Sequence, residues 1–188
     1  DLDTQQTKKR KQIGLFLGKF APIHVAHLVI ADQVRRELNL ERVLFMPEFD
    51  DKKGTIISLL SRALKGCVGF GIDMSRLNNR AQTLIETMRE LTENHQDTDF
   101  YFIMGSDMVG YLSQHEDAVA LAELVQLVGV QRPGFRTGTS LPILWVDVPQ
   151  IAISSTGLRE MMQQGITPQF LIPEAALEFI RERRLYGL

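Results

Sequence analysis

The chain carries one cysteine, Cys67, in 188 residues, so no intramolecular disulfide can form. That usage suits a reducing compartment. Nothing in the sequence pairs Cys67 with a base, and it reads as a small core residue rather than a nucleophile. Long apolar runs are missing too. No stretch approaches the roughly 18 continuous apolar residues of a membrane span. The first eleven residues, DLDTQQTKKRK, lack the apolar segment of a secretory signal and read as a flexible basic arm, 1–11. A cytoplasmic location and no membrane partner are the expectations that follow. Charge of one sign is scarce as well. A net charge of −2 argues against a protein built around a nucleic-acid backbone. It leaves room for one small anion, because a few local cations or a helix N-terminus suffice to hold it. Repeats, low-complexity tracts and long linkers are all lacking, so residues 12–188 read as a single domain.

What is present is an alternation of strand and helix patterns. QIGLFLG (12–18) is an apolar run ending in glycine, the pattern of a buried strand. HVAHLVIADQVRRELNL follows, with Leu28, Ala31, Val34 and Leu38 at helical spacing. Further strands are predicted at 42–47, 70–73, 99–105, 125–131 and 143–148. Helices are predicted at 55–65, 81–95, 118–124, 155–165 and 173–186, with 48–54 a loop. Alternation of this kind predicts an α/β fold, a doubly wound, Rossmann-like parallel sheet with helices on both faces. Ligands in such sheets bind beyond the carboxyl ends of the strands, near the point where strand order reverses.

The residues capable of chemistry fall at those strand ends. In GKFAPIHVAH (18–27), a glycine turn leads into a helix whose first turn holds His24 and His27. Histidines three apart share one face of the turn, and the helix end is an anion site. Together they can hydrogen-bond a phosphate that gains charge during reaction. Two packed core histidines would give the same spacing. No third ligand follows at metal-site spacing, so no protein metal site is expected. In ISSTGLRE (153–160), Ser154, Ser155 and Thr156 stand at a strand-to-helix junction, each a good N-cap. Arg159, one turn on, can reach the same anion with its fork of donors. Asp107 follows a strand and Gly105, where an acid can bind ribose hydroxyls or simply cap a helix. Arg132 follows another strand, in VQRPGF (130–135).

In their joint order these segments resemble the nucleotidyltransferase superfamily. The order is G-x-F-x-P-x-H-x-x-H, then G-x-D, R-P-G-F and I-S-S-T-x-L-R. With FYFIMGSDMV and the closing IPEAALEFIRERRLY, the chain is similar more narrowly to the bacterial nicotinate-mononucleotide adenylyltransferase family, from Gln12 to Tyr186. The resemblance implies a nucleotidyltransferase domain that joins ATP to nicotinic acid mononucleotide, giving nicotinic acid adenine dinucleotide and pyrophosphate in NAD biosynthesis. It implies ATP contacts from Gly18, Phe20, Gly105, Asp107, Ile153, Ser154, Ser155 and Thr156. His24, His27 and Arg159 would be the catalytic set. Thr83, Tyr111 and Arg132 would lie by the mononucleotide. Mg²⁺ would accompany ATP, bridging its phosphates rather than filling a protein cage. Relatives often self-associate, which leaves a homo-oligomer open.

The chain departs from the family pattern in its first motif. Leu17, Lys19, Ala21 and Ala26 stand where the family has a glycine, a threonine, an Asp or Asn, and a second glycine. Ala26 adds a methyl where backbone should approach the nucleotide closely. The loop after Asp50 is short and lacks the family's histidine-lysine segment. These departures keep two alternatives in play: a catalytically weakened nucleotide-binding relative, and a sister adenylyltransferase that takes nicotinamide mononucleotide or phosphopantetheine.

Overall fold

A computed structural model describes residues 9–131, 134 and 138–188. Its centre is a six-stranded sheet. The strands are β1 (Lys11–Gly18), β2 (Arg42–Pro47), β3 (Phe70–Ile72), β4 (Thr98–Met104), β5 (Gln126–Gln131) and β6 (Ile143–Asp147). Their order across the sheet is β3-β2-β1-β4-β5-β6, and every neighbouring pair is parallel. The chain builds outward from β1 in one direction, then crosses back and builds outward from β4 in the other. The reversal therefore falls between β1 and β4, where Phe16 is registered with Ile103. That pairing lies two residues before Gly18 and Gly105.

The helices are α1 (Val25–Glu37), α2 (Lys53–Ala63), α3 (Ser75–Asn78), α4 (Leu84–Asn94), α5 (Ser106–Ser113), α6 (Ala118–Leu124), α7 (Ser155–Gln163) and α8 (Glu174–Glu182). Successive strand residues point to opposite faces, and this splits the core in two. Phe16, Phe45, Ile103 and Val128 meet Val34 of α1, Leu60 of α2, Met162 of α7 and Ile180 of α8 in one cluster. Leu15, Met46, Phe102 and Leu127 meet Met88 of α4, Leu112 of α5 and Leu121 of α6 in the other. Helices thus cover both faces, as the continuous apolar runs of the central strands require. Leu15, Phe45 and Phe102 are fully buried, and each such side chain stabilises the fold by about 1.5–3 kcal/mol.

Several boundaries differ from the sequence reading, each for a local reason. The helix expected over 81–95 starts at Leu84, because the Thr83 side chain caps it. Helix α2 starts at Lys53, inside the expected loop over 48–54. Helix α5 was not foreseen, although Val109 and Leu112 are buried at helical spacing. The last helix stops at Glu182 rather than running to Tyr186. Arg184 and Tyr186 take left-handed backbone, φ 49° and 56°, which an α-helix cannot hold. At the amino end, Lys11 opens β1, and Arg10 donates to Asp99 Oδ1 at 2.9 Å and to the Gln96 carbonyl at 2.7 Å.

Candidate active site

The β1–α1 turn is built around Phe20. Its backbone is left-handed, φ 50°, a conformation that costs an aromatic residue of order 1–2 kcal/mol. Packing holds it there. Phe20 is 3% exposed, and its ring meets Phe16, Phe45 and His27 edge-on at centroid distances of 5.8, 5.4 and 5.1 Å. Gly18 makes room for it, since a Cβ on Gly18 would stand 3.0 Å from the Phe20 ring.

This turn delivers both histidines. His24 is the N-cap of α1 and His27 lies three residues on. Their rings stack with centroids 3.8 Å apart and planes 25° apart. The His24 backbone N–H donates to His27 Nδ1 at 3.1 Å. Nδ1 therefore acts as acceptor, which assigns the neutral His27 proton to Nε2. Burial lowers the pKa of His24 to about 4. It lowers that of His27 to about 3, with the neighbouring His24 adding to the effect. Both rings are neutral at pH 7. His24 Nδ1 is buried with no hydrogen-bond partner among the described residues. The backbone of this helix end is less open than the sequence suggests. Val25 N–H donates to the Leu171 carbonyl at 2.9 Å, and His27 N–H to the His24 carbonyl at 3.1 Å. Two amides of this helix end are thus spent on carbonyls, while His24 Nδ1 stays unpartnered among the described residues.

The serine-rich turn docks directly onto the first one. Ser155 Oγ donates to the Pro22 carbonyl at 2.8 Å. Arg159 Nη1 donates to the Ala21 carbonyl at 2.5 Å, and Nη2 to Thr156 Oγ1 at 3.2 Å. Ser154 Oγ caps α7 by accepting from Gly157 N–H at 3.0 Å, and Ile153 is half-buried beside it. Residues 133 to 138 positions apart in sequence are thus joined into one wall, with guanidinium and hydroxyls next to the histidine turn.

On the other side of the reversal, Gly105 is the N-cap of α5 and Asp107 lies in its first turn, both exposed. Tyr111 follows on the same helix, 66% exposed, its ring 5.6 Å from that of His115. Thr83 is engaged as the cap of α4, accepting from Glu86 N–H at 3.3 Å while Glu86 Oε2 accepts from Thr83 N–H at 3.0 Å. It opens helix α4, which packs on the opposite face of the sheet from α1 and α7. Arg132 lies outside the described residues, as does Phe135.

Two features were not found by sequence reasoning. A cavity of about 540 Å³ opens beside Ala21, lined by Asp50, Lys52, Arg80, Arg184 and Tyr186 among others. Burial raises the Tyr186 phenol above its ordinary pKa, with Arg159 opposing and Asp50 reinforcing the shift. In the sequence, Arg184 and Tyr186 of this wall belong to the basic run RERRLY (181–186). The second feature is an ion pair between Arg76 and Glu48, 28 residues apart, which no periodicity marks. Among the described residues, no three His, Cys, Asp or Glu side chains group as a metal site. No helix among them is long and apolar enough to cross a membrane.

A parallel sheet that reverses between β1 and β4, with paired imidazoles on the first strand's exit turn, is a doubly wound, Rossmann-like architecture with its candidate ligand site at the reversal. The family described as cytidylyltransferase-like matches residues 15–161. A "Probable nicotinate-nucleotide adenylyltransferase" of Streptococcus pneumoniae serotype 4 is 45% identical over 189 residues, covering 95% of this chain and 90% of that protein. One of the same name from Streptococcus mutans serotype c is 42% identical over 194 residues, covering 98% and 92%. The chain belongs to the nicotinate-nucleotide adenylyltransferase family. Its fold is also that of Plasmodium falciparum nicotinic acid mononucleotide adenylyltransferase complexed with APC, at a TM-score of 0.79, 15% identity, and coverage of 94% of this chain and 98% of that one. The same enzyme complexed with NaAD superposes at a TM-score of 0.76.

Proposed function

We propose that this protein transfers the adenylyl group of ATP to nicotinic acid mononucleotide, releasing pyrophosphate. The reading is carried by one observation: a neutral, stacked histidine pair abuts the Ser155–Arg159 turn at the sheet's reversal. Family membership supports it. An oxygen of the mononucleotide phosphate attacks the α-phosphorus of ATP. The new P–O bond forms as the bond to the bridging oxygen breaks, and pyrophosphate leaves with that electron pair. No protein nucleophile takes part, so positioning and charge stabilisation supply the rate.

Each residue has a part in this proposal. His27 Nε2–H is a neutral donor aimed at oxygens whose charge grows in the transition state. His24 fixes its tautomer through the backbone N–H and stacks against it. Arg159 and the Ser154–Thr156 turn take the departing phosphates, with Gly18, Phe20 and Ile153 shaping the nucleotide's bed. Gly105 and Asp107 meet the adenosine ribose. Thr83, Tyr111 and Arg132 serve the mononucleotide side. Mg²⁺ enters with ATP as part of the nucleotide substrate and offsets phosphate charge.

The test is pyrophosphate release with ATP, Mg²⁺ and nicotinic acid mononucleotide, run beside the nicotinamide form. Turnover with the acid form is the expected result. Calorimetric binding of ATP with no turnover on either acceptor would overturn the proposal and leave a nucleotide-binding relative that has lost its chemistry.

A further inference from the structure

The Arg76–Glu48 ion pair stands outside the machinery described so far, and its placement carries a consequence. Arg76 lies on α3. Its Nη2 reaches Glu48 Oε2 at 3.1 Å, and its Nε reaches the same oxygen at 3.3 Å. Nη1 donates to the Gln82 carbonyl at 3.0 Å and to Thr87 Oγ1 at 3.1 Å. The Arg76 side chain is only 14% exposed and that of Glu48 31%. Thr87 is 1% exposed, and its hydroxyl donates to Gln82 Oε1 at 2.9 Å. One guanidinium thus grips three separate places: the residue after β2, the carbonyl before Thr83, and the second turn of α4.

Glu48 is itself tied to the candidate site. Its backbone N–H donates to the Gly18 carbonyl at 2.9 Å, at the end of β1. Helix α4 bridges the parallel strands β3 and β4, so it runs against them and its first turn lies on the carboxyl rim of the sheet. A continuous chain of bonds therefore runs Gly18–Glu48–Arg76–Gln82, from the histidine turn to the α3–α4 turn that presents Thr83.

We propose that Arg76 is a positioning residue for acceptor recognition. It holds the 79–84 turn at a fixed distance from the ATP side of the cleft without touching either substrate. A lysine replaces it only in part, because a single ammonium cannot serve carboxylate, carbonyl and hydroxyl together in the fixed planar geometry of the fork. Since misplacement by about 1 Å can cost about a hundredfold, loosening this turn weakens use of the acceptor while ATP binding stays as it was.

The inference rests on the proposed function, and two measurements keep their failures apart. The first is steady-state kinetics of Arg76→Lys, Arg76→Met and Glu48→Gln with each substrate varied. The expected result is a rise of roughly ten- to a hundredfold in KM for nicotinic acid mononucleotide, an unchanged KM for ATP, and Arg76→Lys intermediate between wild type and Arg76→Met. Equal changes in both KM values, or none, overturn the positioning role even though wild-type turnover stands. The second is amide hydrogen exchange, which needs no activity. Residues 79–87 are expected to exchange faster in Arg76→Lys, with β1 and β4 unchanged. Unaltered exchange at 79–87 overturns the inference whatever the enzyme's substrate proves to be.

Discussion

His24 and His27 share one proton arrangement: the backbone N–H of the first donates to Nδ1 of the second at 3.1 Å, and their rings stack at 3.8 Å. A cap built this way leaves His27 with a single donor, Nε2–H, and no charge at neutral pH. His27→Ala is expected to lower kcat by roughly 10²–10³-fold, the usual loss when one preorganised donor to a developing charge is removed. Steady-state turnover at saturating ATP checks it. An unchanged kcat would make the pair a packed helix cap and nothing more.

The same pair sets a dependence of stability on pH. The folded values are about 4 for His24 and about 3 for His27, against an ordinary 6.5. Above pH 6.5 both are neutral in the folded and the unfolded chain, and their contribution is fully present. As pH falls from 6.5 toward 4 and then 3, the unfolded chain binds protons that the folded chain does not, and stability is lost. Thermal melts of the wild type between pH 7 and pH 4 are expected to show a falling Tm. The slope should flatten in a His24→Asn, His27→Gln double variant.

Ser155 joins the two turns through the Pro22 carbonyl. Ser155→Ala removes the donor and leaves a part-buried acceptor unmet, a loss of about 1 kcal/mol in stability. Arg159→Lys loses the fork shared by the Ala21 carbonyl and Thr156. It is expected to raise the KM for ATP roughly tenfold, which corresponds to about 1.4 kcal/mol. Denaturant melts and ATP titrations on the two variants separate the structural part from the binding part.

The sheet was legible because its central strands are nearly continuous apolar runs, and the carboxyl-end rule then pointed to Gly18, Gly105 and Ser155. The paired turns were legible as motifs, but not their docking. That the Ser155 and Arg159 donors end on the Pro22 and Ala21 carbonyls is a tertiary fact with no local signal. The short α3 has a single buried residue, Leu77, too little to register as a period. No periodicity in the sequence marks Arg76 as largely buried. The expected final helix failed at Arg184, where nothing in RERRLYGL announces left-handed backbone before the glycine. Thr83 illustrates the opposite limit. Its type suits both an N-cap and a ligand contact, and the structure gives it the first duty.

Those two duties of Thr83 can be separated. Thr83→Ala removes the acceptor for Glu86 N–H and is expected to cost about 1 kcal/mol of stability. Thr83→Ser keeps the cap. If the hydroxyl also meets the mononucleotide, Thr83→Ala raises the acceptor KM beyond what its lower stability explains, and Thr83→Ser restores it. A KM that follows neither variant confines Thr83 to capping.

Ala26 offers the most direct test of the altered first motif. It sits inside α1, 5% exposed, next to Val25, whose N–H is held by the Leu171 carbonyl. Its methyl is packed, so removing it carries two opposed effects. Ala26→Gly adds backbone freedom to the unfolded chain and is expected to destabilise the helix by about 1 kcal/mol. It also opens the space beside α1 where the family pattern has glycine and where the proposed function seats the nucleotide. The expected outcome is a lower melting temperature together with a lower KM for ATP. Should both stability and ATP affinity fall, the methyl is a packing element of this chain's own turn, and the turn works by a tighter geometry than that of its relatives.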